Sequence, residues 1–158
     1  MSIRSRTVDV RRAVASALLV LLAATAARAG TINEIKGLAL LGYDPVAYFT
    51  DGRPVLGSSK FKLRHEGAEF RFASAAHRDS FKANPRRFAP AYGGFCAYGT
   101  SRGYKAKIEP GAFTIVEGRL YLNYDAEVRE IWSKDIPGYV EKADRNWPEV
   151  AKTTKVYR

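Results

Sequence analysis

Lys60-Phe61-Lys62-Leu63-Arg64-His65-Glu66-Gly67-Ala68-Glu69-Phe70-Arg71-Phe72 alternates polar and apolar residues on either side of a Glu-Gly step. Period-two alternation puts one face of a strand on a core and the other in water, and a glycine at the reversal favours a hairpin. Ser74 follows and can N-cap a helix over 75–83 by accepting an N–H from its first turn. The order returns later in the chain. Phe113-Thr114-Ile115-Val116 meets Glu117-Gly118, comes back as Arg119-Leu120-Tyr121-Leu122, and reaches Asp125 ahead of a helix over 126–134. The pattern predicts an α+β fold: a small antiparallel sheet from two β-hairpins, each followed by a helix, with a further helix at the C-terminus.

The two units align without a gap at an offset of 51 residues. Glu66-Gly67 falls on Glu117-Gly118, Phe70 on Tyr121, Ser74 on Asp125, Ala75 on Ala126, Arg78 on Arg129 and Phe81 on Trp132. Any two hairpin-helix units share turn and cap chemistry, which is one reading of this match. The other is a fused or duplicated ββα module, since a unit that cannot bury its own apolar face gains by pairing with a copy. In that reading the two helices cover one shared sheet, with Phe81 and Trp132 both facing its core.

Outward from these units the chain is turn-rich. Asp44 can cap a short helix over 46–49 with Pro45 at its first position, and Asn84-Pro85 can end one helix and start another. Residues 136–151 carry Tyr139, Val140, Ala143 and Trp147 as one apolar helical stripe, with Pro148 expected to end or kink it. The polar tail 152–158 is expected to fray.

The first 29 residues read differently. Arg4, Arg6, Arg11 and Arg12 form a basic front, 13–27 runs uncharged, and Ala27-Arg28-Ala29 is a small-x-small exit. That is the three-part pattern of a cleaved signal peptide. About 15 apolar residues fall short of the roughly 20 that a spanning helix needs. Arg11-Arg12 leaves the twin-arginine route open beside the general one. Cleavage leaves one domain, 30–158, in the periplasm, with 21 Lys+Arg against 15 Asp+Glu, a net of +6. Its basic residues are scattered along strand faces, which argues against nucleic acid as a partner. No membrane span is expected after cleavage.

Candidate chemistry centres on Cys96, the sole cysteine, within Tyr92-Gly93-Gly94-Phe95-Cys96-Ala97-Tyr98-Gly99. With no second cysteine there is no internal disulfide, so Cys96 is buried packing, bonded to another molecule, or a ligand. A thiolate suits soft metals, copper(I) above all. His65 precedes a turn, and His77 lies in the first turn of its helix. No spacing for a closed zinc site is present, methionine is absent after the leader, and no nucleophile elbow, phosphate loop or dinucleotide fingerprint occurs. These features point away from an enzyme.

Gly42-Tyr43-Asp44-Pro45-Val46-Ala47-Tyr48-Phe49, Phe70-Arg71-Phe72-Ala73-Ser74, Asn84-Pro85, and Tyr92-Gly93-Gly94-Phe95-Cys96-Ala97-Tyr98, in that order, resemble the exported YHS domain proteins of bacteria. Gly118-Arg119-Leu120-Tyr121-Leu122-Asn123-Tyr124 and Trp132 fit the same group, so the resemblance runs from about Leu40 to Trp147. The wider family is similar to metal-handling domains appended to copper ATPases, with cysteines in Asp-Pro-Val-Cys and Phe-Cys-Ser-x-x-Cys words. Here Ala47, Ala73 and His77 stand at those three places. A two-residue shift of the repeat would set Cys96 against Ala47, as the second copy's version of the lost first cysteine. The resemblance implies a periplasmic binding module for copper or another soft metal, through Cys96 and His77, with an envelope or metal-handling protein as partner. The alternative is a non-catalytic domain that has lost the metal site and binds a protein or small ligand through Tyr43, Tyr48, Tyr92, Tyr98 and Tyr104.

Overall fold

Both hairpins form where the alternation places them. A computed structural model describes residues 31–158, so the signal-peptide reading of 1–29 lies outside the described residues. Strands β1 (Glu34–Ile35) and β2 (Leu38–Ala39) precede helix α1 (Ala47–Thr50). The first hairpin, β3 (Ser58–His65) and β4 (Ala68–Phe72), leads into α2 (Ala75–Ala83) and α3 (Pro85–Phe88). Then come α4 (Ala97–Ser101), β5 (Lys105–Ala106), the second hairpin β6 (Phe113–Val116) and β7 (Arg119–Leu122), α5 (Ala126–Ser133), α6 (Ile136–Val150) and β8 (Val156–Tyr157). The class is α+β.

The hairpins do not join into one antiparallel sheet. The first belongs to a four-stranded mixed sheet ordered β1-β2-β4-β3, with β2 parallel to β4; the second stands alone, and β5 pairs in parallel with β8. Edge occupancy accounts for this. The inner edge of β4 is taken by Leu38 against Glu69, and that of β7 by Cys96 bridging to Leu122. Neither strand keeps a row of free N–H and C=O groups for the other.

At the backbone the 51-residue relation is close. Lys62↔Arg71, Leu63↔Phe70, Arg64↔Glu69 and His65↔Ala68 pair in the first hairpin; Phe113↔Leu122, Thr114↔Tyr121, Ile115↔Leu120 and Val116↔Arg119 pair in the second. Both turns take two positive φ values, 47° and 89° at Glu66-Gly67 and 50° and 74° at Glu117-Gly118, matching the twist of the flanking strands. An irregularity recurs too: Ser58 pairs with Phe72 across the jump to Lys62, and Glu109 bonds Asn123 across the jump to Phe113. Ser74 and Asp125 accept from the N–H groups of His77 and Val128, and one helix later Asn84 and Asp135 accept from Arg87 and Gly138.

Phe81 and Trp132 are both fully buried, yet they face different clusters. Phe81 packs on Phe70 and Phe72 in the cluster that includes Tyr48 and Leu120, while Trp132 packs on Tyr121 in the cluster that includes Tyr92 and Ala143 of α6. The units diverge here because α3 stops at Phe88 while α6 continues to Val150, packing on α4 and closing the cluster around Trp132. Helix α6 runs through Pro148 and ends two residues later. The tail is tied down rather than frayed. The buried Lys105 ammonium donates to the carbonyls of Ala151 (3.0 Å) and Thr153 (2.6 Å), holding β8 against β5. Among the described residues no helix is long and apolar enough to cross a membrane.

Candidate functional site

Three left-handed residues carry the chain into Cys96: Tyr92 (φ 54°), Gly93 (60°) and Gly94 (83°), then extended Phe95 (−76°). The same run occurs 52 residues earlier, at Leu40 (52°), Leu41 (56°), Gly42 (84°) and Tyr43 (−76°). Phe95 N–H closes on Tyr92 O at 3.1 Å as Tyr43 N–H closes on Leu40 O at 3.0 Å. Cys96 therefore occupies the position of Asp44, one residue of shift from the hairpin frame. The expected match of Cys96 with Ala47 is wrong, because the left-handed run and the cap that follows set the register.

Cys96 is 1% exposed and caps α4, its sulfur accepting from Gly99 N–H at 3.3 Å and donating to Asn123 Oδ1 at 3.7 Å. Burial pushes the thiol pKa up; the N–H groups of Gly99, Tyr124 and Tyr98 oppose that, and the Asp125 carboxylate adds to it. The group is a neutral thiol at neutral pH. Above it lies a cavity of about 480 Å³ lined by Cys96, Tyr98, Tyr104, Ala106, Tyr124, Val128 and Tyr157. Tyr104 and Tyr157 meet edge to face at 5.0 Å, so the tied-down tail supplies one wall. Burial, first among several causes, raises the Tyr104 hydroxyl pKa. The walls are mostly tyrosine side chains with Ala106 and Val128, an apolar and aromatic lining suited to holding a small flat body.

In the first unit the equivalent position is closed. Asp44 is fully buried; its Oδ1 accepts from Val46 N–H (2.8 Å) and Ala47 N–H (3.4 Å), and its Oδ2 from Ala73 N–H (2.8 Å). Oδ2 also lies 2.6 Å from His77 Nδ1, so the imidazole sits over the carboxylate. His77 Nε2 is 3.4 Å from the Thr50 hydroxyl, which is held more closely by Asp51 at 2.7 Å. The 51-residue offset places Val128 where His77 stands. Valine cannot reach down to the capping residue, and the cavity over Cys96 is the space left.

Cys96 and His77 thus belong to different units, Cys96 matching Asp44 and Val128 matching His77, and neither is among the other's hydrogen-bond partners. Among the described residues no group of three or more His, Cys, Asp and Glu side chains could hold a metal ion. The five tyrosines also divide. Tyr48 is buried with its hydroxyl on Pro110 O at 3.1 Å, and Tyr92 is buried with its hydroxyl on Asp144 at 2.9 Å. Tyr43 is half-buried and bridges to Leu56. Only Tyr98 and Tyr104 reach the cavity. His65, beside the first hairpin's turn, is half-buried and packs its ring 5.4 Å from Phe81. Sequence reasoning missed Tyr124, Val128 and Tyr157, although the offset that aligns Val128 with His77 carried the signal for one of them. A larger groove of about 970 Å³ passes His65, Arg86, Arg119 and Trp147, but its lining includes neither Cys96 nor His77.

No protein-family model, no curated protein and no solved structure matches the chain.

Proposed function

We propose that the chain is an exported, non-catalytic binding domain of the YHS kind that takes a small ligand in the tyrosine-walled cavity over Cys96. The observation that carries this is the contrast between corresponding positions: His77 closes the first unit, whereas Val128 leaves the second open. A site built from four tyrosine rings, one valine and a protonated thiol offers shape and apolar contact and no strong base or nucleophile. The leader pattern of residues 1–29 supports a periplasmic location, with an envelope component or a diffusible compound as partner.

The cavity position of the Cys96 sulfur supports a second reading, a copper(I) site using this thiol without His77. Metal binding there must expel the thiol proton against burial. Nuclear magnetic resonance screening of a fragment library separates the two. The small-ligand reading expects shifts at Tyr98, Tyr104, Tyr124 and Tyr157 that vanish in Val128→Phe and persist in Cys96→Ser. Fragments that shift none of these residues, together with copper(I) binding that is lost in Cys96→Ser, would replace it with the metal reading.

A further inference from the structure

We infer that the ligand of this cavity is a small aromatic anion, one or two flat rings carrying a carboxylate or a comparable negative group. This rests on the small-ligand reading and adds the ligand's shape and charge. The shape follows from the walls: Tyr98, Tyr104, Tyr124 and Tyr157 present rings, Ala106 and Val128 present methyl groups, and a volume of about 480 Å³ accommodates a two-ring body.

The charge follows from what stands on those rings. Lys107 Nζ lies 4.7 Å from the centroid of Tyr124, and Lys155 Nζ lies 4.5 Å from that of Tyr157. Both lysines are exposed, and each stands on a ring that lines the cavity without lining it itself. The charge of Arg102 also reaches Tyr104. Four tyrosines could otherwise suggest a cage for an ammonium ligand. Two of these rings already have a cation on them, so a second cation would meet repulsion and a ring whose negative face is engaged. Among the described residues no carboxylate lines the cavity. Asp125, whose field reaches Cys96, is committed to the N–H of Val128 at 2.8 Å as the cap of α5. An anion seated among these rings would lie in the field of the Lys107 and Lys155 ammonium groups held on Tyr124 and Tyr157.

Isothermal titration of the protein with 2-naphthoate, 2-naphthamide and (2-naphthylmethyl)trimethylammonium tests this, since the three share a ring body and differ in charge. The carboxylate should bind about tenfold tighter than the amide, and the ammonium weakest. Raising the salt should shrink the carboxylate's advantage, because the lysines are exposed to solvent. In Lys107→Gln/Lys155→Gln the carboxylate should fall to within about twofold of the amide, with amide binding unchanged, as expected for two exposed charges. Val128→Phe should abolish all three. Amide or ammonium binding equal to the carboxylate, and sensitive to Val128→Phe, would overturn the anion assignment and leave the cavity as a ligand site. Absence of any binding that depends on Val128 would overturn both.

Discussion

The hairpin-helix unit that begins at Ser58 and the one that begins at Glu109 share register, irregularity, turn and caps, yet the buried residues that precede them, Asp44 and Cys96, are treated in opposite ways. Asp44 is saturated, with three backbone N–H groups and an imidazole around one carboxylate. Cys96, at the same place, has longer and weaker contacts and an open space above it. A buried carboxylate must be surrounded by donors, because an unpaired one costs several kcal/mol. A thiol makes no such demand. Replacing Asp-His by Cys-Val therefore keeps the backbone frame while turning a polar, filled position into an apolar, vacant one. The frame is common, and the chemistry is local to two side chains.

The largest effects should come from the frame. Phe81→Ala and Trp132→Ala remove fully buried side chains at equivalent points, and each should cost roughly 3–5 kcal/mol in denaturant unfolding. A cost below about 1 kcal/mol at either position would break the equivalence of the units. Trp132→Phe sharpens it. The indole N–H finds no acceptor among the described residues, so this change should cost much less than truncation to alanine.

Next come the capping residues themselves. Asp44→Ala strands three N–H donors and His77, a loss of about 3 kcal/mol by the measure of broken buried polar networks. Cys96→Ala removes one small apolar group beside an existing space and should cost about 1 kcal/mol. Equal costs would mean that the sulfur carries more of its unit than its contacts indicate.

Much of this frame was legible because it rests on local signals. Alternation around Glu66-Gly67 and Glu117-Gly118, caps at Ser74 and Asp125, and the 51-residue offset are each set by a few neighbouring residues. The separation of the hairpins was not legible. It depends on Leu38 and Cys96 claiming strand edges from 31 and 26 residues away, and short bridges leave no periodicity. The site was half legible. Cys96, Tyr98 and Tyr104 come from one glycine-rich stretch, whereas Tyr157 reaches the cavity because buried Lys105 holds the tail's carbonyls, a contact no pattern announces. The true register of Cys96 was hidden by the one-residue difference between its loop and that of Asp44, which only the run of positive φ values reveals.

Rebuilding the first unit's chemistry in the second probes the comparison directly. Cys96→Asp alone should destabilise, since it buries a carboxylate with no imidazole above it. Adding Val128→His should recover about 1 kcal/mol beyond the sum of the single changes, within the range measured for contacting pairs. The double variant should also lose ligand shifts at Tyr98 and Tyr124, because the new ring would occupy the cavity. Strict additivity in a double-mutant cycle would show that position 128 does not face position 96 as His77 faces Asp44.

The smallest effect concerns the proton on Cys96. Burial holds the folded thiol above its ordinary value of 9.0, with Asp125 adding to the shift and the N–H groups of Gly99, Tyr124 and Tyr98 reducing it. The native protein thus keeps a proton that the unfolded chain begins to release near pH 9. Where the native state binds more protons than the unfolded one, stability falls as pH rises. The contribution of this thiol is complete below the unfolded value and is lost as pH climbs towards the folded one. Tyr48, Tyr92, Tyr104 and Tyr121 are also raised by burial, from 10.0, so their losses begin higher on the scale. Unfolding curves of wild type and Cys96→Ala from pH 7 upward isolate the sulfur, because the tyrosines are common to both. Wild type should lose its advantage over Cys96→Ala as pH passes 9, while Phe81→Ala, which removes no titrating group, should stay below wild type by a constant amount throughout. A constant difference between wild type and Cys96→Ala would mean that the thiol titrates as an exposed one, and the closed floor of the cavity would have to be abandoned.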